Sequence, residues 1–198
     1  MAKNEVEIKL PLLNTEEVKL FLDQNAQFVY ENHQIDTYFD SPTKNWMAKT
    51  DGDTPIDFWL RIREENGKSS LNLKDYTDTR RSDVSSCVEY ESGVDDSEDV
   101  KQIICAMGFF PAVTVDKIRR AYKFDSCEIV LDSVKDLGDF IEAEYYGDED
   151  NVYTVVKVLR STLQEIGAET EATDSLGYPY LLLMKQRGIT QVKNKEEK

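Results

Sequence analysis

The stretch EVEIKL at residues 5–10 shows the pattern that decides the fold of this chain, because an aliphatic residue follows each of its three charged residues. Successive side chains of a β-strand point to opposite faces, so this segment predicts a strand with one ionic face and one aliphatic face. The same alternation returns at residues 60–63, 88–91, 117–119 and 141–144. Like charges at two-residue spacing repel each other, and their repetition favours a polyvalent ligand that balances them. A solvated strand face shows the same alternation, so the alternation alone leaves both interpretations open.

Segments with a period of two residues predict about eight strands, and segments with a helical period interrupt them. The strands are expected at residues 5–12, 28–40, 58–64, 68–75, 85–92, 114–124, 127–134 and 138–146, and the helices at residues 15–24, 97–107 and 152–166. The turn sequences Glu65-Asn66-Gly67 and Asp125-Ser126 favour antiparallel pairing of neighbouring strands. The apolar segment at residues 178–184 is expected to pack on the body of the protein.

These elements predict an α+β fold, an eight-stranded antiparallel β-barrel or tunnel with the helices packed on its outside. Aliphatic side chains have to be buried, whereas ions have to remain hydrated or bound to a ligand. A barrel that keeps its ions in the lumen and its aliphatic side chains under the helices meets both demands. We expect one domain over residues 1–188 and a charged tail over residues 189–198.

Length and composition indicate a soluble globular protein, with 198 residues of which 40% are hydrophobic and 32% are charged. The net charge of −15 disfavours a nucleic acid polymer as partner, because neutralising its backbone requires a basic surface. No apolar run approaches the roughly 20 residues of a membrane span, and no signal peptide is recognisable, so we expect a cytoplasmic protein without a membrane partner. The three cysteines show neither disulfide nor zinc spacing and are expected to be reduced packing residues.

The charged residues of the alternating strands indicate what an ionic lumen could bind. They supply six cations, Lys9, Arg61, Arg63, Lys74, Lys117 and Arg119, and seven carboxylates, Glu5, Glu7, Glu89, Glu91, Asp132, Glu142 and Glu144. Arginine binds phosphate oxygens in bidentate fashion and lysine adds a point charge, so a chain of phosphates matches the cations. The carboxylates would repel that ligand unless a hard divalent cation, Mg²⁺ or Mn²⁺, stands between them. With water as the nucleophile such a site is a triphosphatase, and with a ribose hydroxyl it is a cyclase.

The motif Glu5-x-Glu7-x-Lys9 resembles the ExExK signature of the CYTH superfamily, the triphosphate tunnel metalloenzymes that include class IV adenylyl cyclases and thiamine triphosphatases. The order of the later motifs is more specific: QIDTYFD at 34–40, LRIRE at 60–64, LK at 73–74, VEYE at 88–91, KIR at 117–119, LDSV at 131–134 and LGDFIEAE at 137–144. The resemblance covers roughly residues 4–185. It implies an eight-stranded antiparallel tunnel that binds a triphosphate through inward basic residues and a divalent metal through acidic ones.

The resemblance also implies roles for individual residues. Trp59, Tyr38 and Lys74 resemble the arrangement in thiamine triphosphatases, where an aromatic ring stacks on the organic group and a tyrosine and a lysine assist catalysis; Lys9 is a further catalytic candidate. A core position is at least as common for a tryptophan at a strand start. The implied metal ligands are Glu5, Glu7, Glu142 and Glu144, with Asp132 and Glu89 as second choices, and the implied phosphate-binding residues are Lys9, Arg61, Arg63, Lys74, Lys117 and Arg119.

The preferred interpretation is metal-dependent hydrolysis of a small-molecule triphosphate, either inorganic tripolyphosphate, a nucleoside triphosphate or thiamine triphosphate. One alternative is a class IV adenylyl cyclase that converts ATP to cyclic AMP and pyrophosphate, and a second is a non-catalytic binder of polyphosphate or nucleotide. Residues 34–39 and 132–144 look more like the bacterial and archaeal proteins labelled class IV cyclases. Asp75-Tyr76 follows Lys74, however, so the cyclase-like Tyr-Lys-Gly-Pro motif is absent. The sequence leaves a homodimer open.

Overall fold

The structure is a computed structural model that describes residues 6–43, 58–75, 88–147, 151–171 and 177–187. Within these ranges the strands are β1 (Glu7–Pro11), β2 (Gln27–Asp40), β3 (Phe58–Glu65), β4 (Lys68–Asp75), β5 (Val88–Val94), β6 (Phe110–Phe124), β7 (Cys127–Val134) and β8 (Gly138–Tyr145). The helices are α1 (Thr15–Asn25), α2 (Ser97–Ala106), α3 (Val152–Glu165) and α4 (Tyr178–Gln186). The strands form one antiparallel sheet in the order β1-β8-β7-β6-β2-β3-β4-β5. The predicted α+β class and eight-stranded antiparallel sheet are confirmed, whereas closure of the sheet into a barrel stays a prediction.

Local sequence explains where the hairpins turn. Asn66 and Gly67, between β3 and β4, have φ angles of 50° and 72°, the left-handed conformation that a two-residue hairpin turn requires. Asp125, between β6 and β7, has a φ angle of 51°, and aspartate tolerates this conformation better than most residues. Both turns lie where the sequence places them. They join neighbouring strands in antiparallel register, from Glu65 opposite Lys68 and from Phe124 opposite Cys127.

Other boundaries differ from the sequence prediction by a few residues. β6 begins at Phe110 instead of residue 114, because Pro111, which disrupts the middle of a strand, is tolerated close to a strand start. The apolar segment at residues 178–184 lies within α4, most of whose residues are buried. The prediction that the cysteines are packing residues is confirmed for Cys127, which is buried, and is wrong for Cys105, which is exposed. Cys87 lies outside the described residues. Residue 5 and residues 85–87 of the predicted strands lie outside the described residues.

The chain folds into two compact units. The first unit comprises Met1–His33 and Lys117–Ser175, and the second comprises Gln34–Asp116 and Leu176–Lys198. The prediction of a single domain over residues 1–188 stays a prediction. The tail predicted at residues 189–198 lies outside the described residues.

In the first unit, α1 and α3 lie against the aliphatic face of the strands, as the alternation predicts. Ile8 and Leu10 of β1 share this face with β8, because they are the register partners of Ala143 and Ile141. Burying an aliphatic side chain stabilises the fold by about 1.5–3 kcal/mol, so this face anchors the helices. The buried core consists mainly of Leu12, Val18, Leu22, Tyr122, Ile129, Leu131, Ile141, Ala143, Val155, Leu159 and Leu163.

In the second unit, α2 covers the aliphatic face of β2 and β3 in the same way. Ile104 of α2 packs against Phe39 of β2 and Ile62 of β3, and all three side chains are buried. Val100 of α2 and Leu60 of β3 extend this contact at its edge. Most of the residues that alternate with these aliphatic side chains, such as Asp36, Arg61 and Arg63, are charged, and they occupy the opposite face of the strands.

Candidate active site

Glu142 lies at the centre of an ionic cluster in the first unit, on the strand face opposite the helix-covered core. Its register partner on β1 is Lys9, whose Nζ lies 3.0 Å from Glu142 Oε2. Arg119 of β6 donates a hydrogen bond from Nη2 to the same oxygen at 3.1 Å. Lys9 Nζ also lies 3.8 Å from Glu7 Oε1. Together with the two residues described next, these side chains form the Glu142 cluster, which consists of Glu7, Lys9, Lys117, Arg119, Asp132 and Glu142.

Asp132 of β7 binds two cations within this cluster. Arg119, its register partner on β6, donates from Nε to Oδ1 at 2.8 Å and from Nη2 to Oδ2 at 2.6 Å. Lys117 donates to Oδ2 at 3.2 Å. The side chain of Asp132 is only 1% exposed, and a buried carboxylate needs such partners to remain charged. Both oxygens of Asp132 therefore accept hydrogen bonds from side-chain cations.

The ion pairs of the Glu142 cluster shift the pKa values of its members. Burial disfavours the charged form of Glu142, but Lys9 and Arg119 outweigh this effect and hold the pKa of the carboxyl well below its usual range. Burial acts in the same way on Asp132, where hydrogen bonds from Arg119 and the charge of Lys117 keep the pKa below its ordinary value. Burial lowers the pKa of Lys9, and Glu142 and Glu7 together raise it above its ordinary value. Glu142, Asp132 and Lys9 are consequently charged at neutral pH.

A row of glutamates crosses β1, β8 and β7 on the same face as the Glu142 cluster, and its members are candidate metal ligands. Glu7 of β1, Glu144 of β8 and Glu128 of β7 are successive register partners. Like charges opposite each other destabilise a sheet, so a cation bound to this row would relieve the repulsion. Carboxylate oxygens are also the ligands that Mg²⁺ and Mn²⁺ prefer.

The chemistry of these donors fits a hard divalent cation. Within the described ranges, however, no three or more His, Cys, Asp or Glu side chains are grouped so that they could hold a metal ion. Glu5, which the sequence adds to the set, lies outside the described residues. Metal binding by Glu5, Glu7, Glu142 and Glu144 stays a prediction, as does metal binding by Asp132 and Glu89.

The second unit contains a separate ionic cluster around Asp36 of β2, whose side chain is 2% exposed. Arg63, its register partner on β3, donates from Nε to Oδ1 and from Nη2 to Oδ2, each at 2.7 Å. Arg61 donates from Nη1 to Asp36 Oδ2 at 3.2 Å and to the hydroxyl oxygen of Tyr38 at 3.1 Å. Asp36, Tyr38, Arg61 and Arg63 form the Asp36 cluster.

Arg61 has unused capacity as a donor. Its Nε is buried and, among the described residues, has no hydrogen-bond partner. Burial lowers the pKa of the Arg61 guanidinium, but Tyr38 and Asp36 outweigh this effect and raise the pKa above its ordinary value. The group therefore carries its positive charge at any working pH. A buried donor without a partner costs about 1–3 kcal/mol, and an anionic oxygen of a ligand would remove that cost.

The remaining predicted residues of the second unit lie on the same polar face. Lys74 of β4 and Glu89 of β5 are register partners, and Lys74 Nζ lies 3.3 Å from Glu89 Oε2. Trp59, the register partner of Lys74 on β3, is 9% exposed and packs edge-on against Tyr38 with 5.5 Å between ring centroids. This burial leaves little of the indole for a ligand, so stacking of Trp59 on a substrate stays a prediction that the packing does not favour.

Parity along β6 separates two adjacent arginines. Arg120 lies on the face opposite Arg119, where its Nε donates to Glu31 Oε2 at 2.7 Å and its Nη1 lies 3.6 Å from Asp23 Oδ1. The two-residue period of β6 places Arg120 on the face opposite Arg119, and these contacts agree with that placement.

Asp36 is the residue that the sequence analysis missed. It lies two residues before Tyr38, but its role depends on the register of β2 with β3, which the sequence does not show directly.

Most of the chain matches the model of a known family. The model described as the CYTH domain matches residues 3–178, so the chain belongs to the CYTH family. A curated protein of Methanocaldococcus jannaschii that is provisionally named an adenylate cyclase is 29% identical to it over 141 residues, which cover 71% of this chain and 75% of the relative.

Solved structures share the fold. Two proteins of Pyrococcus horikoshii are similar, one with a TM-score of 0.72, 28% identity and coverage of 91% of this chain and 99% of its own. The other has a TM-score of 0.69 and 26% identity, and the alignment covers 89% of this chain and 98% of its own. A provisionally named adenylyl cyclase of Hippeastrum, described as having a dominant triphosphatase activity, has a TM-score of 0.62, 18% identity and coverage of 92% and 96%. None of the helices in the described part of this chain is both long and apolar enough to cross a membrane.

Proposed function

We propose that this protein is a divalent-metal-dependent hydrolase of a small-molecule triphosphate. The observation that carries the proposal is the Glu142 cluster, in which Lys9, Lys117 and Arg119 contact the carboxylates of Glu142 and Asp132. Cations at this density match the several negative charges of a triphosphate, and the acids beside them match its divalent cation. Membership of the CYTH family supports this combination.

Lys9 and Arg119 are the proposed phosphate-binding residues of the first unit, together with Lys117. Lys9 and Arg119 share Glu142 Oε2, so phosphate oxygens that accept hydrogen bonds from both cations would replace that contact. Glu142 would then be available, with Glu7 and Glu144, to hold Mg²⁺ or Mn²⁺. The bound cation would polarise phosphoryl oxygens and lower the pKa of an attacking water. The two hydrogen bonds from Arg119 to Asp132 remain when phosphate replaces the contact with Glu142, so the Arg119 guanidinium is already ordered as charge develops.

Arg61, Arg63 and Lys74 are the proposed phosphate-binding residues of the second unit. The buried Nε of Arg61 supports this role, because an anionic oxygen would give it a partner. Tyr38 accepts a hydrogen bond from Arg61, which orients that guanidinium. Lys74 is about a third exposed and pairs with Glu89, so it can exchange that partner for a substrate oxygen. That both clusters act on one substrate in a shared lumen stays a prediction.

A class IV adenylyl cyclase acting on ATP is the alternative, supported by the name of the archaeal relative. The same cations would then bind ATP, and its ribose hydroxyl would replace water as the nucleophile. The two reactions differ in their products, because cyclisation releases pyrophosphate and hydrolysis releases orthophosphate.

Product analysis tests the proposal. Purified protein is incubated with Mg²⁺ or Mn²⁺ and with ATP, tripolyphosphate or thiamine triphosphate, and the products are resolved by ion-exchange chromatography. We expect orthophosphate from at least one substrate and no cyclic AMP. Cyclic AMP with pyrophosphate would establish the cyclase instead, and binding of the substrates without turnover would indicate a non-catalytic binder.

A further inference from the structure

We infer that Asp36 is a positioning residue that holds Arg61 and Arg63 in the orientation in which they bind phosphate. The inference rests on the proposed function, because it assigns Asp36 a role in the binding of the same triphosphate. Asp36 does not contact the substrate in this account. It acts through the two guanidinium groups.

The contacts of Asp36 define the orientation of Arg63. Both carboxylate oxygens are engaged by one edge of the Arg63 guanidinium, through Nε and Nη2 at 2.7 Å each. This two-point contact fixes the plane of the group as well as its position. Nη1 of Arg63 takes no part in this contact with Asp36.

Asp36 also restrains Arg61. Arg61 Nη1 donates to both Asp36 and Tyr38, at 3.2 Å and 3.1 Å, so two anchors hold one end of the guanidinium. The buried Nε of Arg61 then remains as a donor that has no partner among the described residues. One carboxylate thereby orders two arginines and leaves one of them with a donor for another anion.

The first unit contains the same arrangement, built from different segments of the chain. Asp132 receives Nε and Nη2 of Arg119 at 2.8 Å and 2.6 Å, and Lys117 is its second cation at 3.2 Å. In both cases the aspartate is the register partner of the forked arginine. The second cation lies two residues before that arginine in both cases, as Arg61 does before Arg63.

A repeated buried carboxylate needs a reason other than stability. Ion pairs at buried positions contribute little net stability compared with apolar side chains of similar size. A negative charge next to two phosphate-binding arginines also weakens their attraction for an anion. What Asp36 provides is geometry, because a guanidinium that is already ordered loses less conformational entropy when the substrate binds and reacts.

The test compares two substitutions of Asp36 with a control. Asp36→Asn keeps the shape of the side chain and removes its charge, whereas Asp36→Glu keeps the charge and displaces the carboxylate by one methylene. Asp23→Asn is the matched control, because Asp23 also lies close to an arginine, 3.6 Å from Arg120, but outside both clusters. Each variant is assayed for turnover of the substrate that the parent hydrolyses, and for tripolyphosphate binding by calorimetry without divalent metal.

We expect kcat to fall by roughly 10- to 100-fold in both Asp36 variants, because misplaced arginines stabilise the transition state poorly. The dissociation constant of tripolyphosphate should change by less than kcat does in Asp36→Asn, because removing one negative charge strengthens the attraction for the anion while the loss of order in the arginines weakens binding. Loss of folding would instead lower kcat and the calorimetric binding stoichiometry by the same factor, and the charge-retaining Asp36→Glu variant keeps the test valid if Asp36→Asn does not fold. Asp23→Asn should leave both parameters within about twofold of the parent.

A double-mutant cycle with Arg63→Lys shows whether Asp36 acts through Arg63. If it does, Asp36→Asn should have little further effect on kcat once the forked guanidinium is absent. Additive effects, or an Asp36→Asn variant that matches the Asp23→Asn control, would overturn the inference while the parent remains an active triphosphatase. A parent that neither binds tripolyphosphate nor turns over any triphosphate would overturn the proposed function itself, and the inference with it.

Discussion

Replacing Glu142 by glutamine should destabilise the protein by about 2–4 kcal/mol at neutral pH. Glu142 Oε2 accepts from Lys9 at 3.0 Å and from Arg119 at 3.1 Å. Hydrogen bonds of this charged kind contribute about 1.5–3 kcal/mol each. Glutamine keeps one carbonyl oxygen, and the side chains of Lys9 and Arg119 are 24% and 15% exposed, so both cations regain part of their hydration. The expected loss is therefore smaller than the sum of two full bonds.

The loss of stability caused by Glu142→Gln should decrease as the pH is lowered. The pKa of Glu142 is lower in the folded protein than its ordinary value of 4.5. Its ionised form therefore contributes stability above the unfolded pKa, and this contribution disappears as the pH falls through the folded pKa. Glutamine does not titrate. The difference in free energy of unfolding between the parent and Glu142→Gln should thus be largest at neutral pH and should decrease continuously as the pH falls.

Urea unfolding at neutral pH and along an acid series measures this difference, with no metal added. The expected loss corresponds to a decrease in Tm of roughly 4–16 °C. Glu165→Gln is the control, because Glu165 is exposed at the end of α3, and this helix packs on the strand face opposite the cluster. A Glu142→Gln variant as stable as the parent, or a stability difference that does not change with pH, would refute the reasoning.

Four further substitutions test individual residues. Arg119→Ala should lower kcat/KM by roughly 10²–10³-fold, whereas Arg120→Ala, on the opposite face of β6, should leave kcat/KM within about twofold. Steady-state kinetics that do not distinguish the two variants would contradict the assignment of faces. The side chain of Glu7 is 48% exposed, so Glu7→Gln should change the free energy of unfolding by less than about 0.5 kcal/mol. The same variant should lose metal-dependent turnover. Unchanged turnover in a Mg²⁺ titration would remove Glu7 from the metal ligands. Trp59 is 9% exposed and its ring packs against Tyr38, so Trp59→Ala should lower the free energy of unfolding in urea by about 3–5 kcal/mol. A decrease below about 1 kcal/mol would show that the ring is not part of the core.

The alternation of ionic and aliphatic residues was sufficient to predict the strands and the faces of most charged residues. It works because the side-chain period of a strand is fixed at two residues, so Arg119 and Arg120 must lie on opposite faces. The contacts of Arg119 with Asp132 and of Arg120 with Glu31 follow that parity. Turn chemistry added the hairpins, because asparagine, glycine and aspartate tolerate positive φ.

What the sequence could not provide was register and partner choice. The role of Asp36 depends on its position opposite Arg63, which is a property of the β2–β3 pairing and of no single segment. Parity already places Ala121 on the face of Arg119 and Val130 on the face of Asp132. Only register shows that these buried apolar side chains continue the row that begins with Lys9 and Glu142.

The most direct test of a metal-dependent triphosphatase is the product spectrum of the purified protein with and without divalent cation. The account predicts orthophosphate release from tripolyphosphate, ATP or thiamine triphosphate when Mg²⁺ or Mn²⁺ is present, and loss of that release when the cation is removed by EDTA. Cyclic AMP as the main product of ATP, or triphosphate turnover that is unaffected by EDTA, would contradict it.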